Sequence, residues 1–468
     1  MAIKNMLFNH SKFLRVEKDE TSSVLWFVIS HVDIPPGKFA QSGVFKDIPG
    51  SKVYLNCPDN SWYQQGIPGQ DDSVTSIIRT VEKFIADFSP DEVKFVGHSM
   101  GAYLALILGM HNPGSFVIAT SPEFVLNLDG SRSLRNNVKP DPMWKSLIEA
   151  RNADHNDIEG IVVLGVDDPV DAHFLASEEI YNSGFGSIVE SPYHHGVTEF
   201  LTGLGVYRDL LTDPANAARK LRQMGVCDAP FTNGTSHQYE HFYQTSLMLR
   251  DRSTSTLEIV NRINKFPDWE HAGWQELRSR FFRASKDHQA AYSAAELAYS
   301  IRPHLPQIAV EYGRACLAAG KYIEANHLID SLRLINPKHP LHQQLFNLAD
   351  TKFALRNRHR FASYNRYPAA SKRGLRVQAE FSNRPRSILR EAKSLLKEND
   401  HSRLYEHLHN LNSQDEVKPE LLRVAVKTTS RHRLVWLTAS YLSELARQDT
   451  LTLHQLRVYL ATSLRVNR

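Results

Sequence analysis

The sequence predicts an α/β domain with a mostly parallel sheet, followed by an all-α domain of helical repeats. The chain of 468 residues is longer than one ordinary domain. In its first half, short apolar runs alternate with helical stretches, which is typical of a parallel sheet covered by helices. Beyond about residue 205, strands are hard to find and helical periodicity dominates.

Six short apolar runs predict the strands of the first half, at residues 24–30, 52–56, 93–96, 115–119, 161–165 and 187–189. Each run is short and mostly apolar, as expected of strands that are buried on both faces. Between them, the spacing of apolar residues predicts helices at 73–88 and 102–110. Several strands end in polar loops that contain Gly or Pro, and such loops are where α/β sheets bind ligands.

The second half contains an internal repeat. A spacing of 34 residues aligns three pairs: Ala291 with Ala325, Ile301 with Ile335, and Pro303 with Pro337. This period matches a helix–turn–helix repeat, and segment 311–337 resembles a tetratricopeptide repeat. The residues that carry the resemblance are a small packing residue, the inter-helix turn, a close helix contact and a terminator: Gly313, Gly320 with Tyr322, Ala325, and Pro337.

The resemblance to tetratricopeptide repeats covers about two repeats, residues 274–337. A stable stack needs about three repeats, so we expect neighbouring helices to complete the core. The segments 343–355 and 386–397 are predicted to be such degenerate repeats or caps.

Four regions follow from these patterns. They are a sheet domain at 1–210, a helical connector at 211–265, tetratricopeptide-like repeats at 266–355, and a basic helical region at 356–468. Charge differs along the chain in the same way, because residues 1–210 carry 16 basic and 27 acidic side chains and residues 211–468 carry 39 and 24. The overall net charge of +4 is therefore a cancellation of −11 and +15.

Composition excludes several classes of protein. With 23% charged residues, 23 Gly and 22 Pro, the chain has ordinary globular usage rather than that of a disordered or collagen-like protein. No run reaches the roughly 18 apolar residues of a membrane span, and the first 20 residues lack the apolar stretch of a secretory signal. Cys57, Cys227 and Cys316 lie far apart and are expected to be reduced thiols. We therefore expect a cytoplasmic protein.

The sharpest local motif is Gly97-His98-Ser99-Met100-Gly101, a G-x-S-x-G pattern. It follows the predicted strand at 93–96 and precedes the predicted helix at 102–110. A turn this tight between a strand and a helix leaves no room for flanking side chains, and it lifts the serine hydroxyl clear of the sheet. The pentapeptide also arises by chance, so its strand–turn–helix context carries the argument.

Two further chemical groups follow later strands of the predicted sheet. Asp168 follows the strand at 161–165, and His194 and His195 follow the strand at 187–189. The order Ser, Asp, His and the positions at strand ends resemble the α/β-hydrolase family over about residues 20–210.

The resemblance implies that Ser99 is the nucleophile, Asp168 the orienting acid and His195 the general base. A serine hydroxyl attacks poorly until an imidazole takes its proton, and the imidazole needs a carboxylate to hold its tautomer. Asp168 is preferred over Asp167 and Asp171 because the family places its acid three residues after the strand-ending glycine. Between His194 and His195 the sequence alone decides little.

Oxyanion donors and substrate contacts are expected from the neighbouring loops. The backbone N–H of Met100, next to the nucleophile, and that of His31 or Val32, after an earlier strand, are the expected oxyanion donors. Side chains of the loop 56–69 and of the motif itself are candidates for substrate binding, although such a loop is as often surface structure: Asp59, Asn60, Trp62, Tyr63 and His98.

Two other patterns point to binding. The string His237-Gln238-Tyr239-Glu240-His241 resembles an inverted zincin motif, but a third ligand and a peptidase fold are missing, so no metal or other cofactor is expected.

The stretch 356–390 carries ten Arg or Lys against Glu380, with aromatic residues between them. It suits a polyanion, or equally a solvated face or a contact with the acidic first half.

Together these features predict a serine esterase that cleaves a carboxylic ester, with an acylated glycan or polysaccharide as the favoured substrate. The helical repeats are expected to bind a protein partner or to present substrate. Two alternatives stay open: an acyltransferase that uses the same triad, and an inactive hydrolase fold that serves as an interaction scaffold.

Overall fold

We describe the protein from a computed structural model. It describes residues 11–357 except 154–156, 204–206, 215–218, 220–235, 252, 304 and 336–338. The chain forms two compact units. The first comprises Met1–Thr202 with Val206–Lys265, and the second comprises Gly203–Gly205 with Phe266–Arg468.

A seven-stranded sheet forms the centre of the first unit. In chain order its strands are β1 (Leu14–Glu17), β2 (Val24–Ile29), β3 (Ser51–Leu55), β4 (Glu92–His98), β5 (Phe116–Thr120), β6 (Glu159–Gly165) and β7 (Ser187–Ser191). Their order across the sheet is β1-β3-β2-β4-β5-β6-β7, with β1 antiparallel to β3 and all other pairs parallel. The predicted mostly parallel α/β domain is therefore confirmed.

The edge strand β1 is the one strand that the apolar runs do not reveal. It has four residues, and Arg15 and Glu17 alternate with the apolar Leu14 and Val16. Its apolar residues are buried and its charged residues are more exposed, so only one face of the strand needs apolar side chains. The carboxyl ends of β2, β4, β5, β6 and β7 meet at one edge of the sheet, where parallel strands of this class bind ligands.

Helices and turns connect the strands. They are α1 (Ser42–Phe45), α2 (Val74–Phe88), α3 (Met100–His111), α4 (Arg132–Arg135), α5 (Leu147–Asn152), α6 (Pro169–Ala176), α7 (Glu178–Asn182), α8 (Val197–Gly203) and α9 (Tyr207–Thr212), with 3-10 turns at Pro58–Asn60 and Pro142–Trp144. Helix α2 is amphipathic, and a capping box formed by Ser73 and Ser76 begins it. Helix α3 is apolar on all sides, and every residue from Met100 to Met110 is buried.

The sequence predicts a helical connector at residues 211–265. In the described part of this segment, two further helices follow α9. These are α10 (Ser236–Met248) and α11 (Thr256–Ile263), and both belong to the first unit. Helix α10 packs along α6. Within the described residues, this segment is therefore part of the body that holds the sheet.

The second unit is a stack of helices. They are α12 (Ala272–Ala284), α13 (His288–Ile301), α14 (Pro306–Ala318), α15 (Tyr322–Ile335) and α16 (Pro340–Asn357), and each packs on the next in the chain. The core between them is formed by small and aliphatic side chains together with Tyr292 and Phe346. The aliphatic and small residues include Ala309, Val310, Leu317, Ala325, Leu328 and Leu345. This arrangement confirms the predicted helical-repeat domain.

The residues chosen from the repeat pattern occupy the expected positions. A Cβ on Gly313 would lie 2.5 Å from Leu345 Cδ2, so this position accepts only a hydrogen as side chain without a shift. Gly320, in the turn before α15, has a φ of +74°, which favours glycine. Ala325 has no exposed surface. Helix α16 occupies the place predicted for a degenerate repeat or cap.

Several predicted features lie outside the described residues. These are the terminator Pro337, Cys227, the segment 386–397 and the side chains of the basic stretch 356–390. Cys57 and Cys316 are buried free thiols. Among the helices in the described part of the chain, none is both long and apolar enough to cross a bilayer.

Candidate active site

Ser99 lies at a strained turn between β4 and α3. Its φ of 53° and ψ of −117° are rare for an L-residue. The Ser99 N–H donates to the Thr120 carbonyl at 2.8 Å, and the Ser99 carbonyl accepts the Tyr103 N–H at 3.1 Å, so both sides of the turn are held. Strain of this kind persists only where the surrounding structure enforces it, and it is concentrated at functional sites.

The two glycines of the motif permit this turn for a steric reason. A Cβ on Gly97 would lie 2.3 Å from the Gly101 carbonyl oxygen, and a Cβ on Gly101 would lie 2.3 Å from the Ile29 carbonyl oxygen. The first contact brings the start of α3 onto the end of β4, and the second brings it onto the end of β2. The G-x-S-x-G spacing is therefore required by backbone packing at this edge of the sheet.

A chain of hydrogen bonds links Ser99 to a buried histidine and a buried carboxylate. His195 Nε2 lies 2.8 Å from Ser99 Oγ, and His195 Nδ1 lies 3.0 Å from Asp171 Oδ1. The other oxygen of Asp171 accepts the Gly165 N–H at 3.0 Å. An ionised carboxylate only accepts, so Nδ1 carries the proton and Nε2 is free to accept the proton of Ser99.

The acid expected from the sequence, Asp168, does not contact His195, and Asp171 takes that place. Asp168 is the N-cap of α6, where its side chain accepts the N–H groups of Val170 and Asp171. Asp171 lies three residues further on and points toward the histidine. The signal in the sequence was Pro169, because proline is favoured at the first position of a helix and marks the residue before it as the cap.

His195 rather than His194 is the histidine at the serine, as the sequence slightly favoured. His194 Nδ1 instead accepts the Gly196 N–H at 2.9 Å, and its ring lies 4.3 Å from the ring of Tyr193. Burial lowers the pKa of His194 to about 4. This histidine is therefore neutral at physiological pH and shapes the loop after β7.

Burial sets the electrostatics of the histidine and the carboxylate. Burial and then the charge of Asp168 raise the pKa of Asp171 to about 7. Burial and the nearby Arg132 lower the pKa of His195 well below its usual range. The histidine is therefore neutral and able to act as a base, while ionisation of the carboxylate that orients it occurs near neutral pH.

The pKa of Asp168 is shifted in the opposite direction to that of Asp171. Burial alone would raise the pKa of Asp168, but Arg132 and His195 lower it below its usual range. Arg132 Nη2 lies 2.9 Å from Asp168 Oδ2. Two adjacent carboxylates thus have divided roles, since Asp168 pairs with arginine and Asp171 pairs with histidine.

The expected oxyanion donors lie on two elements that meet at the elbow. Met100 is the first residue of α3, and the first N–H groups of a helix have no partner within that helix. His31 and Val32 follow β2, whose last carbonyl oxygens approach Gly101 closely. His31 Nδ1 lies 2.8 Å from the carbonyl oxygen of Val32, and the two rings of His31 and His98 lie 5.7 Å apart.

Of the five expected substrate contacts, His98 is the one whose ring lies beside His195. Its centroid lies 5.3 Å from that of His195, and the side chain is half-buried. Its Nδ1 lies 3.1 Å from the Thr120 carbonyl oxygen, which fixes the orientation of the ring.

Three of the four loop residues expected to line the site are buried or hydrogen-bonded within the protein. Trp62 and Tyr63 have no exposed surface, and the Tyr63 hydroxyl donates to the Ser30 and Leu55 carbonyls. Asn60 donates to Asp33 and Asn136, which ties three loops together. Asp59 is exposed. Aromatic residues in a polar loop suggested a binding surface, but apolar burial draws both rings into the core.

Two groups of residues have the composition of a metal site. The donor atoms of Asp168, Asp171 and His195 lie within 4.8 Å of one another, but each is already engaged with Arg132 or with a member of the triad. In the H-x-x-E-H string, His241 Nε2 lies 2.8 Å from the Arg262 carbonyl oxygen, and Glu240 lies 2.7 Å from His173 Nδ1. The contacts of the H-x-x-E-H string favour a structural role for that group.

Comparison with known proteins finds one family match, which lies within the second unit. The Tetratricopeptide repeat family matches residues 282–347, which extend from α12 into α16. No curated protein and no solved structure matches the chain.

Proposed function

We propose that the first unit is a serine-dependent acyl hydrolase that cleaves a carboxylic ester. The observation that supports this most strongly is the chain Ser99–His195–Asp171, with hydrogen-bond distances of 2.8 and 3.0 Å and the serine on a strained strand-to-helix turn. The order Ser, Asp, His and the G-x-S-x-G motif resemble the α/β-hydrolase family. Asp171 takes the place that the sequence suggested for Asp168.

The geometry supports acyl transfer by nucleophilic catalysis. Ser99 Oγ attacks the ester carbonyl while His195 Nε2 takes its proton, and Asp171 holds the Nδ1–H tautomer. The tetrahedral oxyanion is stabilised by the Met100 N–H and by an N–H of His31 or Val32. The C–O bond to the alcohol breaks as His195 protonates the leaving oxygen, and the acyl group stays on Ser99 Oγ. Water then attacks the acyl carbonyl while His195 Nε2 takes its proton, and His195 returns that proton to Ser99 Oγ as the acid leaves.

The burial of Ser99 bears on the class of substrate. Ser99 is 2% exposed and His195 is 5% exposed. An ester buried inside a bulky polymer reaches such a hydroxyl poorly, whereas an acyl group that projects from its carrier reaches it readily. An O-acyl substituent on a sugar fits this requirement, so an acylated glycan stays within the proposal.

A second candidate function is that of an interaction scaffold with an inactive hydrolase fold. The observation that favours it is the family match, which covers the repeats and not the sheet domain. Tetratricopeptide repeats stack helices into surfaces that bind other proteins. We propose that the second unit binds a protein partner in either case, and that the basic stretch 356–390 provides contacts for a polyanion.

One labelling experiment separates the enzyme from the scaffold. The full chain is treated with a fluorophosphonate probe, which reacts with an activated serine, and labelled peptides are mapped by mass spectrometry. We expect label on Ser99, its loss in Ser99→Ala, and its retention in Ser115→Ala, which removes another buried serine hydroxyl from the opposite end of β5.

Failure of Ser99 to label in folded protein would favour the scaffold. Turnover of short-chain aryl acetates then measures the reaction itself, and Ser99→Ala should reduce it by about 10⁴-fold or more. Product analysis with and without a sugar acceptor distinguishes hydrolysis from acyl transfer to that acceptor.

A further inference from the structure

An ion pair next to the catalytic acid belongs to neither the triad nor the oxyanion donors. Arg132 lies on α4, in the segment between β5 and β6, and its guanidinium contacts Asp168 at 2.9 Å. The two side chains are 22% and 13% exposed. An ion pair shielded to this extent is screened much less than a surface pair, so its charges act on their neighbours.

The position of Arg132 is held by buried hydrogen bonds. The carboxylate of Glu123, which has no exposed surface, accepts the Arg132 N–H at 2.6 Å and the Ser133 N–H at 3.1 Å. The Ser131 side chain caps the same helix by accepting the Leu134 N–H. Arg132 is therefore presented to Asp168 from an anchored backbone.

Asp168 connects this arginine to the catalytic acid. As the N-cap of α6 its Oδ1 accepts the Val170 N–H at 3.0 Å and the Asp171 N–H at 3.3 Å, while its Oδ2 faces Arg132. The start of α6 depends on this side chain, because an N-cap side chain satisfies backbone N–H groups that have no partner within the helix. Asp171 is in the first turn that the cap holds.

Charged and polar groups from five parts of the first unit face Asp171. His195 comes from the loop after β7, the Gly165 N–H from the end of β6, Asp168 from α6, Arg132 from α4 and Ser121 from the loop after β5. Burial and Asp168 raise the pKa of Asp171, while Arg132, Ser121 and Gly165 lower it. Among these groups Arg132 is the cation that opposes the charge of Asp168.

We propose that Arg132 and Asp168 are positioning residues for the triad. Asp168 fixes the helix turn that carries Asp171. Arg132 compensates the negative charge of Asp168, so that Asp171 is ionised when His195 must act as a base. This inference rests on the proposed function. Helix α4 then has the role of holding Arg132 next to Asp168. If α4 moved away from α6, the carboxylates of Asp168 and Asp171 would lie near each other without this arginine.

The test compares the pH dependence of Ser99 labelling in variants of the full chain. Arg132→Gln should move the acidic limb of the labelling rate to higher pH by roughly one unit or more, with the rate recovered at alkaline pH. Arg132→Lys, which keeps the charge, should lie close to the wild type. Asp168→Asn, which keeps a good N-cap but removes the charge, should move the limb to lower pH. Arg79→Gln, on the exposed face of α2, is the matched control and should change nothing.

A second readout does not depend on catalysis. In protein carrying [γ-¹³C]aspartate, the Asp171 resonance is assigned with Asp171→Asn and titrated in the wild type and in Arg132→Gln. The proposal expects the midpoint to rise in Arg132→Gln and to return toward the wild type in Arg132→Gln/Asp168→Asn. Thermal unfolding of each variant confirms that it is folded.

The two proposals fail in different ways. If Ser99 never labels but the carboxyl titration shifts as expected, the proposed function is wrong and the charge compensation stands. If Ser99 labels and Arg132→Gln changes neither its pH profile nor the Asp171 midpoint, the positioning role is overturned. Loss of labelling at every pH in Asp168→Asn would overturn it as well, because Asp168 would then be the acid of the triad.

Discussion

Replacing Asp171 with asparagine tests the assignment of the acid directly. Asp171 has no exposed surface and accepts two hydrogen bonds, from His195 Nδ1 and from the Gly165 N–H, each at 3.0 Å. An amide of the same shape has a single oxygen, so it can satisfy only one of these donors. If the oxygen stays on Gly165, the NH₂ group faces His195 and forces the proton onto Nε2.

The size of the effect follows from the loss of the base. A histidine with its proton on Nε2 cannot accept the proton of Ser99, and an acid-to-amide change of this kind costs about 10⁴-fold in turnover. That factor corresponds to about 5.4 kcal/mol of transition-state stabilisation. The fold should tolerate the change, because the amide removes the buried negative charge of Asp171, which lies next to the charged Asp168.

The assay is kcat/KM for a short-chain aryl acetate together with the rate of fluorophosphonate labelling. Asp168→Asn is the matched control, because it makes the same chemical change three residues earlier and is expected to keep activity within about tenfold of wild type at neutral pH. The assignment would be refuted if Asp168→Asn were inactive while Asp171→Asn kept wild-type turnover.

Three other predictions follow from the same contacts. Because the pKa of Asp171 is raised to about 7, the carboxylate that orients the histidine is lost as pH falls, so kcat/KM measured from pH 5 to 9 should rise through about pH 7 and then level off. Gly101→Ala places a Cβ 2.3 Å from the Ile29 carbonyl oxygen, so it should lower the free energy of unfolding by about 1–3 kcal/mol in urea titrations and slow labelling about 10²-fold. Gly313→Ala places a Cβ 2.5 Å from Leu345 Cδ2, so it should destabilise the repeats by about 1 kcal/mol in thermal unfolding and leave labelling unchanged.

Each of these has a control or a contrary outcome. A rate that is constant from pH 5 to 9 would show that Asp171 is already ionised throughout. Gly43→Ala is the control for Gly101→Ala, since a Cβ there meets nothing within 4 Å, and equal effects of the two substitutions would contradict the steric argument. Slower labelling in Gly313→Ala would contradict the expectation that the repeats take no part in activating the serine.

Features that depend on neighbours along the chain were determined by the sequence itself. Strands buried on both faces are mostly apolar, so six of the seven strands could be located from short apolar runs in the sequence. The turn at Ser99 depends on the steric demands of Gly97 and Gly101, and those demands are encoded within five residues. The helical repeats could be predicted as well, because their 34-residue period is a pattern within the sequence itself.

The tertiary structure decided which side chains meet. Asp168 and Asp171 are separated by less than one helical turn, and only the start of α6 determines that the first caps the helix and the second faces His195. Trp62 and Tyr63 are placed by apolar burial, which outweighs the polar character of their loop. Arg132 reaches Asp168 across 36 residues of sequence, because contacts of this kind depend on where separate elements pack rather than on any local pattern.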